Sequence, residues 1–374
     1  MAVMGKYYPA ELAEDWDRIG LVCGDPAAPV RTALLVVDIA DETVAQAIDL
    51  GAELLIAHHP LLLAGVHSVA TSTPKGRLLH RMITAGVALY AAHTNADSAA
   101  PGVSDALATT VGLDLAALSP LRPRSVIELD KFNTTVPVAD VQRVLDAICS
   151  AGAGWGGGEY ERCAFLTDGT GTFIPGVAAT PTVGERGRVN EVPEAQIETV
   201  MPRTRRGEVL AALRQAHPYE EPAFDVIELA PRGTHTGLGR VGRLPSPLPL
   251  KEFTAQVASA LPAAPVGVRA AGDPTRLIER VAVCGGAGDS LLGDAAAAGA
   301  DVFVTADIRH HVASEFLARG HDTGGPALID AGHWATERPW LDQVAQVLRA
   351  ELGGELSIQI SGLVTDPWNQ VLTP

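Results

Sequence analysis

Apolar and polar positions along the first hundred residues follow a strand-then-helix rhythm. Residues 32–38 (TALLVVD) form an apolar run of strand length closed by a carboxylate. Residues 41–50 carry the helical spacing of apolar positions, with acidic residues in the first turn. A second short run, 53–57 (ELLIA), stops at His58-His59-Pro60, and residues 75–85 (KGRLLHRMITA) predict the next helix. A third run, 87–92 (VALYAA), empties into His93-Thr94-Asn95-Ala96-Asp97. The rhythm resumes late in the chain, with strands predicted at 277–284, 301–305, 327–330 and 357–361 and helices at 290–298, 309–319 and 340–352. Alternation of this kind predicts a mixed α/β core.

The middle of the chain breaks the rhythm. A Pro/Arg hinge at 121–126 (LRPRSV) and a glycine-rich stretch at 231–242 (PRGTHTGLGRVG) bracket it. Between them the pattern predicts strands at 130–137, 160–168 and 223–229 and helices at 138–152 and 206–217, a split α+β sandwich. Residues 180–191 (TPTVGERGRVNE) predict an exposed hairpin or mobile loop. The expected architecture is therefore a two-lobed α/β core, residues 1–126 and 231–374, with an inserted α+β domain at 127–230. Residues 237–242 (GLGRVG) match the dinucleotide-binding glycine pattern letter for letter, but the prolines at 245, 247 and 249 replace the helix that must follow. That stretch is expected to be a flexible or tightly turning connector. His217-Pro-Tyr-Glu-Glu-Pro222 reads as a turn between helix and strand, or as a ligand or subunit contact.

Composition narrows the possibilities. In 374 residues, 47% hydrophobic content with 5% aromatics predicts an aliphatic core, and no apolar run approaches the ~18 residues of a membrane span. The first residues lack the apolar stretch of a signal peptide, so a cytoplasmic location is the default expectation. Cys23, Cys149, Cys163 and Cys284 are scattered and apolar-flanked without a paired spacing, which argues for reduced core residues rather than metal ligands. With 44 acidic against 28 basic residues and a net charge of −16, nucleic-acid binding through a broad positive face is disfavoured. An anionic small molecule remains compatible, because local arginines and a dication outweigh net charge inside a cleft.

The candidate chemistry lies where the apolar runs end. His58 and His59 follow one predicted strand, His93 and Asp97 another. His333 and Glu337 follow a third, residues 327–330 (ALID), and are spaced to share one helix face. Open α/β sheets place their sites at such strand exits. His58, His59, Asp97, His333 and Glu337 offer five nitrogen and oxygen ligands. That exceeds the four of a closed zinc site, so two divalent ions ~3.5–4 Å apart, bridged by Glu337, fit better than one. Zinc, iron, manganese or cobalt all suit such donors. His93 is expected to orient a ligand or to act as an acid/base group. His310 and His311, after Asp307 at a helix start, read as solvated polar residues or substrate contacts. His67, His80, His235 and His321 read as having no direct role.

Six blocks in order carry a family resemblance: AEDWDRIGLVCGD (13–25), AHHPLL (57–62), HTNAD (93–97), VAVCGGAGDSLL (281–292), ADVFVTADIRHH (300–311) and GHWATER (332–338). They resemble the NGG-interacting-factor-like family, whose bacterial members carry the name GTP cyclohydrolase type 2 homologue. HPYEEPAFDVIEL (217–229) resembles the PII-like/CutA-like insert of its longer members. The resemblance implies a dinuclear metal centre held by His58, His59, Asp97, His333 and Glu337. It also implies a homo-oligomer, a toroidal hexamer built as a trimer of dimers. Two motifs depart from the family pattern: Trp16-Asp17-Arg18 where WDN is usual, and Thr305-Ala306-Asp307 where TGD or TGE is usual. Neither removes a ligand.

The expected function is metal-dependent hydrolysis of a nucleotide or phosphoester by a metal-bridging hydroxide. His93 and Glu337 are the catalytic candidates, with His93 moving the proton, and Lys75, Arg309 and Arg338 are the candidate anion contacts. By resemblance the substrate is GTP, its purine ring opened with loss of formate. The alternative is a metal storage, delivery or sensing protein without turnover, in which the insert is regulatory. A hydrolase needs an open coordination position and an oriented acid/base group, whereas a carrier needs exchangeable metal and a docking surface.

Overall fold

The computed structural model of the chain describes residues 1–124, 126–156, 159–230, 232–320 and 324–372. It divides into two compact units, Met1–Arg124 with His235–Pro374, and Ser125–Thr234.

The first unit is mixed α/β and holds two sheets. The five-stranded sheet runs Gly20–Cys23, Ala88–Ala91, Leu54–Ala57, Thr32–Val36, Ser357–Ile360, with the first strand antiparallel to its neighbour and the rest parallel. Its strands are apolar on both faces because helices cover both. Leu34, Leu55 and Leu89 meet Val44 and Met82 of helices Asp41–Asp49 and Pro74–Ala85. Leu35, Ile56 and Tyr90, one residue along in each strand, pack with Trp340 and Val344 of helix Pro339–Leu352. Strand Ser357–Ile360 continues the rhythm of the chain's last third, yet it crosses back to pair with Thr32–Val36.

The six-stranded sheet has the order Arg269–Ala271, Ala327–Asp330, Val302–Ala306, Leu277–Ala287, Gly237–Pro249, Ser119–Pro123. Its three central strands are parallel, Leu277–Ala287 to Val302–Ala306 to Ala327–Asp330. Val283, Val304 and Ile329 pack on Phe253 and Val257 of helix Leu250–Ala260. Ala282, Phe303 and Leu328 face Leu291 and Ala295.

The glycine-rich stretch expected to be a connector is instead the start of the thirteen-residue strand Gly237–Pro249. Its glycines serve close backbone approach: a Cβ on Gly237 would fall 2.2 Å from the Arg122 carbonyl oxygen, and one on Gly239 would fall 3.0 Å from that of Val283. Its prolines at 245 and 247 fall where pairing is interrupted, between Arg243 and Leu248, so their missing N–H groups cost no ladder bond there. Within the same stretch Arg240 is fully buried. Its guanidinium donates to both oxygens of Asp105 and to the carbonyls of Gly237, Gly239 and Ala99.

The second unit follows a βαββαβ order. Strands Leu129–Pro137, Ala164–Phe173, Asn190–Pro202 and Phe224–Glu228 form an antiparallel sheet, with Leu129–Pro137 and Asn190–Pro202 at its centre. Phe132, Ile197 and Met201 of these central strands pack with Val144 and Ile148 of helix Val141–Ser150 and Val209 and Leu213 of helix Arg206–Ala216. Among the described residues, no helix is long and apolar enough to cross a membrane.

Candidate metal centre

The three strand exits converge within the first unit. His58 and His59 extend the ladder beyond Leu54–Ala57, their backbone N–H groups donating to the carbonyls of Val36 and Val37 at 3.1 and 2.9 Å. His93 caps the short helix Thr94–Ser98, which carries Asp97. After strand Ala327–Asp330, Gly332 turns the chain at φ +80° into helix His333–Glu337, which puts both of its end residues on one face.

Each of these four histidines is held by its Nδ1. His58 donates to the Ala92 carbonyl at 2.9 Å. His59 is tied to Asp38 at 2.7 Å, His93 to Asp17 at 3.0 Å and His333 to Asp307 at 2.8 Å. Such partners fix the tautomer and leave Nε2 as the free nitrogen, the arrangement of metal-ligating imidazoles. Glu337 lies among three of those nitrogens: Oε1 is 3.4 Å from His58 and 3.0 Å from His333, and Oε2 is 3.1 Å from His59. The Nε2 atoms of His59 and His333 are 3.3 Å apart, and Asp97 Oδ1 is 3.7 Å from His58 Nε2.

Among the described residues, two groups bring three ligand atoms within 4.8 Å of one another: His58 with His59 and His93, and His59 with His333 and Glu337. His58 Nε2 and Glu337 Oε2 are buried and have no hydrogen-bond partner. Glu337 Oε2 lies 3.1 Å from His59 Nε2 but without hydrogen-bonding alignment. Buried polar atoms left so are costly, and a cation satisfies both at once.

The electrostatics agree. Burial opposes charge on the imidazoles, but the Glu337 carboxylate outweighs it, lifting His59 to about 11 with help from Asp38 and His333 to about 9. His58 is also raised, against full burial, by Glu337 and Asp97. Glu337 itself, though buried, is held well below the usual carboxylate range by the three imidazoles. Burial pushes Asp97 upward. Protons on the histidines thus balance Glu337 in the metal-free protein, and a divalent ion replaces those protons. The His/Glu cluster can hold a metal ion.

The sequence profile of the family described as Duf34/NIF3 (NGG1p interacting factor 3) matches residues 1–367. The chain belongs to the Duf34/NIF3 family. The "GTP cyclohydrolase 1 type 2 homolog" of Mycobacterium tuberculosis is 50% identical over 367 residues, covering 98% of this chain and 95% of that protein. The protein of the same name from Bacillus subtilis is 36% identical over 330 residues, covering 88% and 86%. A Bacillus cereus protein related to NIF3 superposes with a TM-score of 0.66 at 35% identity over 99% of this chain and 97% of that one. A Staphylococcus aureus protein gives a TM-score of 0.71 at 28% identity over the same shares.

In this Duf34/NIF3 chain all five expected ligands and His93 come together. His93 stands in one three-residue group with His58 and His59, while Asp97 stands at the edge, its Oδ1 3.7 Å from His58 Nε2. Of the three expected anion contacts, Arg309 lines a cleft of about 770 Å³ together with His59 and His333, its guanidinium bonded to Asp289 at 2.6 Å. Lys75 is exposed at the start of helix Pro74–Ala85, Arg338 is engaged by Asp342 at 2.6 Å, and neither lines that cleft. His321 lies outside the described residues.

Sequence reasoning passed over the residues that hold the ligands. Asp17 is buried, and its carboxylate accepts from the Thr94 N–H and hydroxyl as well as from His93. Those bonds outweigh burial and keep its pKa depressed. Asp307 has a left-handed backbone, φ +56°, a conformation costing ~1–3 kcal/mol in a non-glycine residue, at the point where it meets His333. Asp38 accepts from both His59 and Thr365. Gly286 makes room for the cluster: a Cβ there would fall 2.2 Å from Glu337 Oε1 and 3.1 Å from His333 Nε2. Asp38 and Asp307 each follow a strand's C-terminal end, the same signal that marks the ligands.

Proposed function

We propose that the chain is a metal-dependent hydrolase holding two divalent cations and acting on a nucleotide or related phosphoester. One observation carries this reading: four histidines anchored through Nδ1 present Nε2 to one region, with Glu337 buried among three of them and two buried polar atoms unpartnered. Two ions are supported by Glu337, whose two oxygens face different histidines. Zinc, iron, manganese and cobalt all suit this donor set.

Bound divalent cations supply Lewis acidity and an acidified water at neutral pH. The chain's own residues do the rest. His93, steadied by Asp17, has its ring 5.3 and 5.6 Å from those of His58 and His59, and proton transfer is assigned to its Nε2. Arg309 is the anion contact that the cleft supports best, with Arg269 on the same lining. The relatives' name favours a purine nucleotide as the first substrate to test. Assembly as a homo-hexamer belongs to the same reading by family resemblance, and a monomeric mass in sedimentation would remove it.

The test combines elemental analysis of protein purified without added metal with turnover of GTP and a phosphoester panel by wild type and Glu337→Ala. Two metals per chain and activity lost in the variant are expected. Bound metal without turnover on any substrate would overturn the hydrolase and favour storage, delivery or sensing.

A further inference from the structure

The second unit contains a cavity of about 590 Å³ whose lining includes none of the His/Glu cluster's residues. Its floor is the end of strand Ala164–Phe173, the start of Asn190–Pro202 and Thr135. One wall is the segment around residues 175–183, and the other is the His217-Pro-Tyr-Glu-Glu-Pro222 turn. Two hydrogen bonds hold the walls together: the Thr180 N–H donates to Glu220 Oε2 at 2.9 Å, and the Thr182 hydroxyl donates to the Pro218 carbonyl at 2.6 Å. The size is that of a small-molecule site.

Its chemistry is one-sided. Glu194, only 6% exposed, lines the cavity, and Tyr219 donates to its Oε1 at 2.6 Å. Oε2 receives no hydrogen bond from the described residues. Glu220 and Glu221 add carboxylates to the rim, and the rings of Phe173 and Tyr219, 5.9 Å apart, form an aromatic corner. No lysine, arginine or histidine is among the lining residues. The nearby His217 does not supply the missing charge. Its Nδ1 accepts the Tyr219 N–H at 3.1 Å and its Nε2 donates to the Thr135 carbonyl at 2.8 Å, which is the neutral tautomer.

Glu194 therefore faces an aromatic-lined cavity with one hydrogen bond and no positively charged lining residue to balance it. We infer that this cavity is a binding site for an organic cation, a primary ammonium or guanidinium group on an apolar body. Glu194 Oε2 takes a charged N–H, the hydroxyls of Thr135 and Thr172 offer further acceptors, and Phe173 and Tyr219 cover the apolar part and face the charge with their π-systems.

The experiment uses the full chain and three probes, benzylammonium, its neutral twin benzyl alcohol, and calcium ion, titrated by calorimetry with ligand-observed NMR. Benzylammonium should bind and benzyl alcohol should bind about tenfold more weakly or worse, the worth of one charge-assisted hydrogen bond. Glu194→Gln should remove that preference while leaving thermal unfolding and metal content unchanged. Tyr219→Phe, which frees Oε1, should keep it, so a folding defect in one variant does not decide the matter. Equal affinity for the two organic probes, an unchanged preference in Glu194→Gln, displacement of benzylammonium by calcium, or no binding of either organic probe would each overturn the inference.

Discussion

Glu337 in the first unit and Glu194 in the second are both buried glutamates with a glycine pressed against the carboxylate, yet their surroundings differ in kind. Around Glu337 stand three imidazoles, each steered by a carbonyl or carboxylate behind it. Around Glu194 stand a tyrosine hydroxyl, threonines and aromatic rings. The first environment provides protons that a metal can displace, so its charge balances with or without the ion. The second provides one hydrogen bond and no countercharge. Burial alone therefore does not say what a carboxylate is for. The groups within hydrogen-bonding reach say whether it suits a hard dication or an organic monocation.

The strongest test of that contrast is Glu337→Ala. It removes the carboxylate whose oxygens lie 3.0–3.4 Å from three of the imidazole Nε2 atoms, and metal affinity should fall by more than the ~10–100-fold typical of changes behind the ligands. Metal content and thermal unfolding followed together check this. Loss of metal with the fold retained fits a functional centre, whereas collapse of the fold would make the cluster structural.

Gly286→Ala should come next. The added Cβ lands on Glu337 Oε1, and the backbone there has φ +65°. Displaced carboxylate and strained backbone act together, so metal retention should drop sharply and stability should fall by ~1–3 kcal/mol. Denaturant unfolding of the metal-free protein separates the two contributions, because strain survives metal removal.

Smaller still are changes behind the ligands. Asp38→Ala and Asp307→Ala leave every metal-facing atom in place but release the rings of His59 and His333, and each should weaken metal binding ~10–100-fold. Wild-type affinity for these metals would show that the Nδ1 bonds do not orient the site. The pH dependence has a definite sign. His59 and His333, raised to about 11 and about 9, are protonated in the folded metal-free protein at pH 7.5, so metal binding must release protons and tighten as pH rises towards 9. Their contribution to metal-free stability runs the other way, full below the ordinary histidine value of ~6.5 and lost as pH rises through about 9 and then 11. Calorimetry in buffers of different ionisation enthalpy counts the protons. A count of zero at pH 7.5 would contradict the charge balance.

The nearness of the His/Glu cluster's members was legible in the sequence because their placement obeys a local rule. Each pair follows a short apolar run, so the strand ends of two sheets that bury those runs bring the pairs together. What stood behind the ligands was harder to see: Asp38 and Asp307 sit at strand exits too, but their partners come from other strands. The second unit was read less fully. Its central strand Asn190–Pro202 has Ala195, Ile197 and Met201 on the helix-facing side, yet the prolines at 193 and 202 and three glutamates hide that alternation. Residues 237–242 misled in the opposite direction, since their glycines look like a loop and serve close strand packing. The cavity had no sequence signature, because Thr135, Gly171, Glu194 and Tyr219 come from four segments that no spacing connects.

The gentlest substitution, Gly171→Ala, sharpens the contrast most. Gly171 lies on the strand paired with the one bearing Glu194, two residues from the position directly opposite it. A Cβ there would fall 2.4 Å from the Glu194 carboxylate, much as at Gly286, but Gly171 is not among the residues with a left-handed backbone. The alanine therefore costs no backbone strain, and only the carboxylate must move. Glu194 can swing towards the open cavity, whereas Glu337 is boxed in by three rings. Stability should change by less than ~1 kcal/mol, because the side chain that gives way borders empty space. Benzylammonium affinity should shift a few-fold while metal content stays constant. Thermal unfolding and the same titration read both quantities. A stability loss as large as that of Gly286→Ala would mean that Glu194 is clamped in place as a structural group, and that the two glutamates are alike after all.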